Sequence, residues 1–175
     1  MLEKGYVQLY TGNGKGKTTA ALGLALRAAG AGLRSIIIQF MKGQHYSELS
    51  AVKLLDDMIK IEQYGSPEFC GPDEESVEQH YQLARNAIAR SREAIVDDNF
   101  DIVILDEIVT AYLFKLVTLD EIVDLIKNRD TGKELVLTGR GAPKSLLKYC
   151  DLVTEMKERK HYYNEGVQAR PGIEN

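Results

Sequence analysis

The most constraining feature of this 175-residue sequence is a glycine- and lysine-rich stretch, GNGKGKTT, at residues 12–19. The residues on either side predict a strand at 5–10 and a helix at 17–29. A strand that turns through glycines into a helix directs successive backbone N–H groups, and the positive end of the helix, toward one point. The stretch therefore predicts a loop that binds phosphate groups.

The loop differs from the common phosphate-loop pattern GxxxxGK[ST] at one position. Gly16, Lys17 and Thr18 supply the second half, but Thr11 stands where the first glycine is expected, and Gly12 follows it. In that pattern the amides wrap the phosphates, the lysine bridges their oxygens and the hydroxyl binds Mg²⁺. Lys15 is an additional cation. The candidate phosphate-binding residues are Gly12, Asn13, Gly14, Lys15, Gly16, Lys17, Thr18 and Thr19.

Apolar runs without strict polar alternation recur along the chain, and such runs are typical of strands buried in a parallel sheet. Strands alternate with helices, which predicts a single doubly wound, mainly parallel α/β domain of P-loop (RecA-like) type over residues 1–175. Further strands are predicted at residues 35–40, 59–63, 100–105, 134–138 and 151–155, and further helices at 47–57, 73–96, 119–126 and 143–149.

Two acidic residues, Asp106 and Glu107, directly follow the apolar strand at 100–105. In α/β proteins, ligands bind beyond the carboxyl ends of the strands, where the phosphate loop also lies. Carboxylates and hydroxyls are oxygen ligands that suit Mg²⁺. The candidate metal ligands are therefore Thr18, Asp106 and Glu107; a solvated acidic turn is the weaker alternative.

Polar residues also follow two other predicted strands. Gln39 and Lys42 lie at the end of the second strand, and Arg140 lies in TGRG after the strand at 134–138. These positions predict side chains near the bound nucleotide. Arg140 either contacts phosphate or is a surface arginine in a turn. His161, in the polar tail, is a weaker candidate because a lone histidine is usually structural or exposed.

Composition excludes several classes of protein. A net charge of −4 argues against a general nucleic-acid surface, since such surfaces carry a basic excess. Cys70 and Cys150 belong to no ligand-like cluster, which favours reduced thiols and a cytoplasmic location. The sequence predicts no membrane span, because no segment approaches the required ~20 apolar residues.

At the level of whole phrases, the sequence resembles the ATP:corrinoid adenosyltransferases. The phrases occur in the same order along almost the whole chain, and the shifted glycine is part of that family's pattern. The resemblance implies transfer of the 5′-deoxyadenosyl group of ATP to a corrinoid Co(I), with release of triphosphate, in cobalamin synthesis or salvage. The matching phrases are TGNGKGKTTAALGLALRAAGAG, QFMKG, FDIVILDEI, VLTGRGAP and KHYYNEGVQARPGIE.

The resemblance also implies roles for the candidate residues. The loop at residues 12–19 would hold the triphosphate of ATP, with Lys17 stabilising the leaving group. Thr18 and Glu107 would bind Mg²⁺, with Asp106 as the supporting carboxylate.

Other implied roles concern the nucleotide and the corrinoid. Arg140 and the segment at 160–166, which contains His161, would lie near the nucleotide. Phe69, in the loop at 65–72, would contact the corrinoid face and help to remove the lower axial ligand of cobalt. Phe69 therefore joins Lys17, Thr18 and Glu107 as a candidate catalytic residue.

The resemblance further implies a homodimer and a flavoprotein that reduces the cobalt. Some relatives carry an N-terminal helical lid, whereas this sequence begins near its first strand, so a lid is expected to be absent or supplied otherwise. Two alternatives remain open from the residues alone. A P-loop ATPase or phosphotransferase acting at the γ-phosphate would form ADP, and a non-catalytic ATP-gated binding module would form no product.

Overall fold

A computed structural model of the protein describes residues 2–55, 57–67 and 74–174, without the side chains of residues 74–76. Within these residues, parallel strands form one six-stranded sheet in the order β3-β2-β4-β5-β1-β6. This arrangement confirms the predicted doubly wound α/β fold. The strands are β1 (Val7–Thr11), β2 (Ser35–Phe40), β3 (Ile59–Tyr64), β4 (Ile102–Asp106), β5 (Glu134–Thr138) and β6 (Leu152–Glu155).

Helices cover both faces of the sheet, and in the described residues none is long and apolar enough to cross a membrane. The helix predicted at 47–57 is shorter, since it passes into a 3₁₀ turn at Val52–Leu54. Another 3₁₀ turn lies in the tail at Tyr162–Glu165. The helices are α1 (Lys17–Gly30), α2 (Ser47–Ala51), α3 (Glu74–Ala94), α4 (Ile108–Leu113), α5 (Leu119–Asn128) and α6 (Lys144–Leu147).

The three central strands β2, β4 and β5 are buried at every residue, as expected for strands covered on both faces. Helix α1 covers one face of the sheet with Ala21, Ala25 and Ala28. Leu22, Leu26 and Ala29 lie at helical spacing on a different face, and Leu26 is 57% exposed. Small side chains let the helix axis lie close to the sheet, so alanine forms this contact.

Helix α3 covers the opposite face, but over only part of its length. Ala84 and Ile88 are buried against the sheet. The helical spacing of Val77 and Tyr81 with these two residues predicts that they face the sheet too, but they are 44% and 40% exposed. A helix of 21 residues is about 31 Å long, while a strand of six residues spans about 20 Å. The first turns of α3 therefore extend beyond the carboxyl edge of the sheet.

The loops after β2 and β3 pack backbone against backbone at that edge. A Cβ atom on Gly43 would lie 2.2 Å from the carbonyl oxygen of Gly65. A Cβ atom on Gly65 would lie 2.3 Å from the backbone nitrogen of Lys42. Glycine is required at both positions because the obstructing atoms belong to the backbone and cannot rotate away. This contact fixes the loop that carries Lys42.

We expect Gly65→Ala to lower the free energy of unfolding by about 2 kcal/mol or more, because the methyl group forces the two loops apart. Gly23→Ala is the control. Gly23 lies within α1, and a Cβ atom there meets no described atom within 4 Å. That change should stabilise the protein by about 0.5–1 kcal/mol. Urea denaturation measures both, and equal stability of the two variants would contradict the packing argument.

Candidate active site

The glycine-rich loop joins β1 to α1 and rests on the chain that follows β6. Gly12 and Gly16 adopt φ values of 96° and 116°, a region that favours glycine. The amide of Gly14 donates to the carbonyl of Met156 at 2.7 Å, and a Cβ atom on Gly12 would lie 2.4 Å from the same oxygen. Among the described residues, no side chain caps the first turn of α1, which leaves this helix end available to an anion.

The loop opens onto a cavity of about 550 Å³. The cavity brings together most of the predicted phosphate-binding residues, Glu107, Arg140 and the tail. Gly12 lies outside it, beside a separate depression. The lining residues are Asn13, Gly14, Lys15, Gly16, Lys17, Thr18, Thr19, Glu107, Arg140, Glu158, His161, Tyr163, Asn164, Ile173 and Glu174.

The two loop lysines have different partners. Lys17 is buried, and its Nζ donates to the carbonyl oxygens of Gly12 and Gly14 at 2.8 Å and 2.9 Å. Burial lowers the pKa of Lys17, against the opposing effect of the nearby Glu107 carboxylate. Lys15 instead donates to the carbonyl of Ile173 in the tail at 3.0 Å. Lys17 therefore belongs to the loop itself, whereas Lys15 connects the loop to the tail.

Asp106 is the most buried acidic group of the site, with no exposed surface. Its Oδ1 accepts hydrogen bonds from Thr18 at 2.9 Å and Thr138 at 2.7 Å. Its Oδ2 accepts from Lys42 at 2.8 Å and Gln39 at 3.3 Å. These donors hold the Asp106 carboxylate directly behind the Thr18 hydroxyl.

Gln39 and Lys42 reach Asp106 and do not line the cavity. Gln39 is fully buried in β2, and its register partner in β4 is Asp106. Burial alone would lower the pKa of Lys42, but the attraction of Asp106 outweighs it, and the pKa is raised. The pair is therefore a partly buried ion pair at neutral pH.

Glu107 faces the cavity because the backbone changes direction after Asp106. It adopts φ 63° and ψ 15° as the residue preceding α4, and its amide donates to the Thr138 hydroxyl at 2.9 Å. Its carboxylate accepts from the Thr110 hydroxyl, and that hydroxyl accepts from the Arg140 amide at 3.0 Å. Helix α4, which periodicity does not predict, thus positions both Glu107 and Arg140.

The oxygen donors around Thr18 suit Mg²⁺, which prefers hydroxyl, carboxylate, phosphate and water oxygens. Thr18 and Glu107 line the cavity, and Asp106 supports the Thr18 hydroxyl from behind. In the described part of the chain, no three His, Cys, Asp or Glu side chains converge to hold a metal by themselves. Phosphate oxygens and water would therefore complete the shell, as is usual for Mg²⁺.

The tail forms the other wall of the cavity. His161 lines it, and its Nδ1 accepts from the amide of Tyr163 at 3.1 Å. Arg170 binds the carboxylate of Glu174 at 3.1 Å and 3.2 Å, and Tyr162 donates to the same group. Hydrogen bonds from Arg170 and Tyr162 lower the pKa of Glu174 to about 2. The family resemblance places only the segment at 160–166 of this wall near the nucleotide.

One candidate catalytic residue cannot be placed. Phe69 lies outside the described residues, although the loop that carries it begins at the described contact between Gly65 and Gly43.

Comparison with known proteins gives the family. The sequence pattern of one family, ATP:corrinoid adenosyltransferase BtuR/CobO/CobP, matches residues 3–175. The chain belongs to this family. It is 32% identical over 172 residues to the corrinoid adenosyltransferase of Escherichia coli K12, covering 98% of this chain and 86% of that protein.

A second relative and a solved structure are also similar to this chain. The corrinoid adenosyltransferase CobA of Salmonella typhimurium LT2 is 30% identical, with 98% of this chain and 86% of that protein covered. The solved structure of the flagellar accessory protein FlaH from Methanocaldococcus jannaschii superposes with a TM-score of 0.56 at 13% identity, covering 88% of this chain and 72% of that one. The likeness to FlaH shows a shared fold alone. The family and its enzyme class are as the sequence phrases predicted; the roles of single residues stay predictions.

Proposed function

We propose that the protein transfers the 5′-deoxyadenosyl group of ATP to the Co(I) centre of a corrinoid. The cobalt electron pair forms a bond to the ribose 5′ carbon, the carbon–oxygen bond breaks, and triphosphate leaves with its electrons. The observation that carries this proposal is a phosphate-loop cavity, flanked by cations, in a chain whose residues 3–175 match the family. We place the reaction in cobalamin synthesis or salvage.

The residues of the cavity suit a highly charged leaving group. Amides of the loop at residues 12–19, Lys17, Lys15 and Arg140 would neutralise the charge that develops on triphosphate. Thr18 and Glu107 would hold Mg²⁺, supported by Asp106. When bound, the metal withdraws negative charge from the phosphate oxygens. The displacement occurs at carbon, so the protein needs no base to activate water.

The remaining parts of the proposal concern the corrinoid and its delivery. Phe69 would contact the corrinoid and disfavour the lower axial ligand of cobalt, which makes Co(I) easier to reach. We further propose that residues 1–175 act as a single domain, that the protein works as a cytoplasmic homodimer, and that a flavoprotein supplies the electron to cobalt. Binding of nucleic acid or membrane forms no part of the proposed function.

Product analysis tests the proposal directly. The protein is incubated with Mg-ATP and a chemically reduced corrinoid, cobalt absorbance is followed, and the phosphate product is identified. We expect adenosylcorrinoid and intact triphosphate in equal amounts. Formation of ADP would instead support attack at the γ-phosphate, and ATP binding without any product would support a binding module.

Phe69→Ala should slow the reaction and alter the Co(II) spectrum; an unchanged spectrum and rate would remove Phe69 from the mechanism.

A further inference from the structure

The ammonium group of Lys42 contacts oxygen atoms of two residues that are candidate ligands of the metal ion. Its Nζ is 2.8 Å from Asp106 Oδ2 and 3.3 Å from Thr18 Oγ1. The Thr18 hydroxyl in turn donates to Asp106 Oδ1 at 2.9 Å. The Lys42 side chain is 15% exposed, and that of Asp106 is fully buried. A monovalent cation thus contacts two of the three candidate metal ligands.

The position of Lys42 differs from that of the cations that face the cavity. Lys15, Lys17 and Arg140 line the cavity, whereas Lys42 approaches Asp106 from the loop after β2. A fully buried carboxylate requires a cation or a set of donors, because an unpaired buried charge is costly. Lys42 meets that requirement together with the donors Thr18, Thr138 and Gln39.

We infer that Lys42 occupies the cation position beside Thr18 and Asp106 in the nucleotide-free protein, and that Mg²⁺ displaces its ammonium group when it enters with ATP. The inference rests on the metal site of the proposed function. A lysine ammonium group and a metal ion that contact the same oxygen atoms would repel each other strongly, so occupation by one disfavours the other. The nucleotide-free protein therefore binds Mg²⁺ weakly, and the metal enters as its ATP complex.

The surroundings of Lys42 indicate how the displacement occurs. The backbone of Met41, Lys42 and Gly43 packs closely against that of Gly65, so the backbone around Lys42 is held in place. The ammonium group therefore leaves by rotation of its flexible four-carbon side chain. The ring of Tyr46, whose centroid lies 5.2 Å from Nζ, makes a cation–π contact with the ammonium group beside its contact with Asp106.

Binding of Mn²⁺ to the nucleotide-free protein, measured by the loss of the free-ion EPR signal, tests the inference. We expect Lys42→Met to bind Mn²⁺ about 10-fold more tightly than the unmodified protein, because the competing charge is gone. Lys15→Met is the matched control, since it removes the same charge from the cavity without touching Asp106. Its affinity should change by less than about 3-fold. Adding Thr18→Val to Lys42→Met should abolish the gained binding.

A second readout guards against a fold defect in the variant. Millimolar Mg²⁺ should raise the Tm of Lys42→Met more than that of the unmodified protein, since a ligand stabilises the state that binds it. Mn²⁺ affinity of Lys42→Met no higher than that of Lys15→Met would overturn the inference, and so would a Lys42→Gln affinity no higher than that of Lys15→Met. Neither measurement uses corrinoid or ATP. A negative adenosyl-transfer assay would therefore not change the conclusion drawn from Mn²⁺ binding, and a negative Mn²⁺-binding result would not change the conclusion drawn from the assay.

Discussion

Replacing Lys17 with methionine should lower the rate of triphosphate formation by about 10³-fold at saturating ATP, because a preorganised donor to the leaving group is lost. Lys17 is buried at the loop, and its Nζ already lies 2.8 Å and 2.9 Å from the Gly12 and Gly14 carbonyls. Triphosphate in the loop would replace these weak acceptors with charged oxygens. Single-turnover kinetics with reduced corrinoid, with ATP affinity measured separately, gives the effect on the chemical step.

Lys15→Met is the matched control for this experiment. Lys15 lies in the same loop and carries the same charge, but its Nζ donates to the carbonyl of Ile173 in an exposed contact. An exposed, screened charge contributes little, so the rate should fall by no more than about 10-fold. A larger loss for Lys15→Met than for Lys17→Met would show that Lys15 is the principal cation. A Lys17→Met rate within 10-fold of the unmodified protein would remove Lys17 from the leaving-group role.

The sequence predicts the sheet better than it predicts the helix contacts. Strands β2 and β5 have the predicted bounds, because an uninterrupted apolar run leaves few alternatives to a buried parallel strand. Helix α4 has only six residues, too few for helical periodicity to emerge, and it begins after Glu107 with its positive φ. Helical spacing alone does not show that the alanines of α1, and not Leu26, lie against the sheet, because small side chains let the helix approach it closely.

Some residues of the candidate site can be predicted from the adjacent sequence, whereas other contacts depend on the order of the strands in the sheet. The loop at residues 12–19 and the acidic pair after β4 are local signals, and the structure places both at the same edge of the sheet. The contact of Lys42 with Asp106 depends on the order of the strands, because only the pairing of β2 with β4 sets Gln39 opposite Asp106. Sequence periodicity predicts where strands lie along the chain, but it does not predict which strands are adjacent in the sheet. The tail wall depends on the pairing of β6 with β1 in the same way.

Asp106→Asn should lower the free energy of unfolding by about 3–5 kcal/mol, the usual cost of removing one partner from a buried ion pair. The carboxylate is fully buried and accepts hydrogen bonds from Thr18, Thr138, Lys42 and Gln39. An amide turns an NH₂ group toward at least one of these donors and leaves the Lys42 ammonium without its counter-ion. Urea denaturation at pH 7 measures the loss. Glu107→Gln changes the adjacent carboxylate, which faces the cavity, and should cost about 1 kcal/mol or less.

The double variant Lys42→Met/Asp106→Asn separates the ion pair from the other hydrogen bonds. Removing both charges leaves no unpaired ammonium, so the double variant should be more stable than the sum of the single losses predicts, by about 1–3 kcal/mol. The pKa of Lys42 is raised above its ordinary value of 10.5 by Asp106. Its stabilising effect is therefore complete at neutral pH and is lost as the pH rises through that raised value. Additive losses at pH 7 would show that Lys42 and Asp106 contribute independently, and would also weaken the argument that Lys42 holds the cation position.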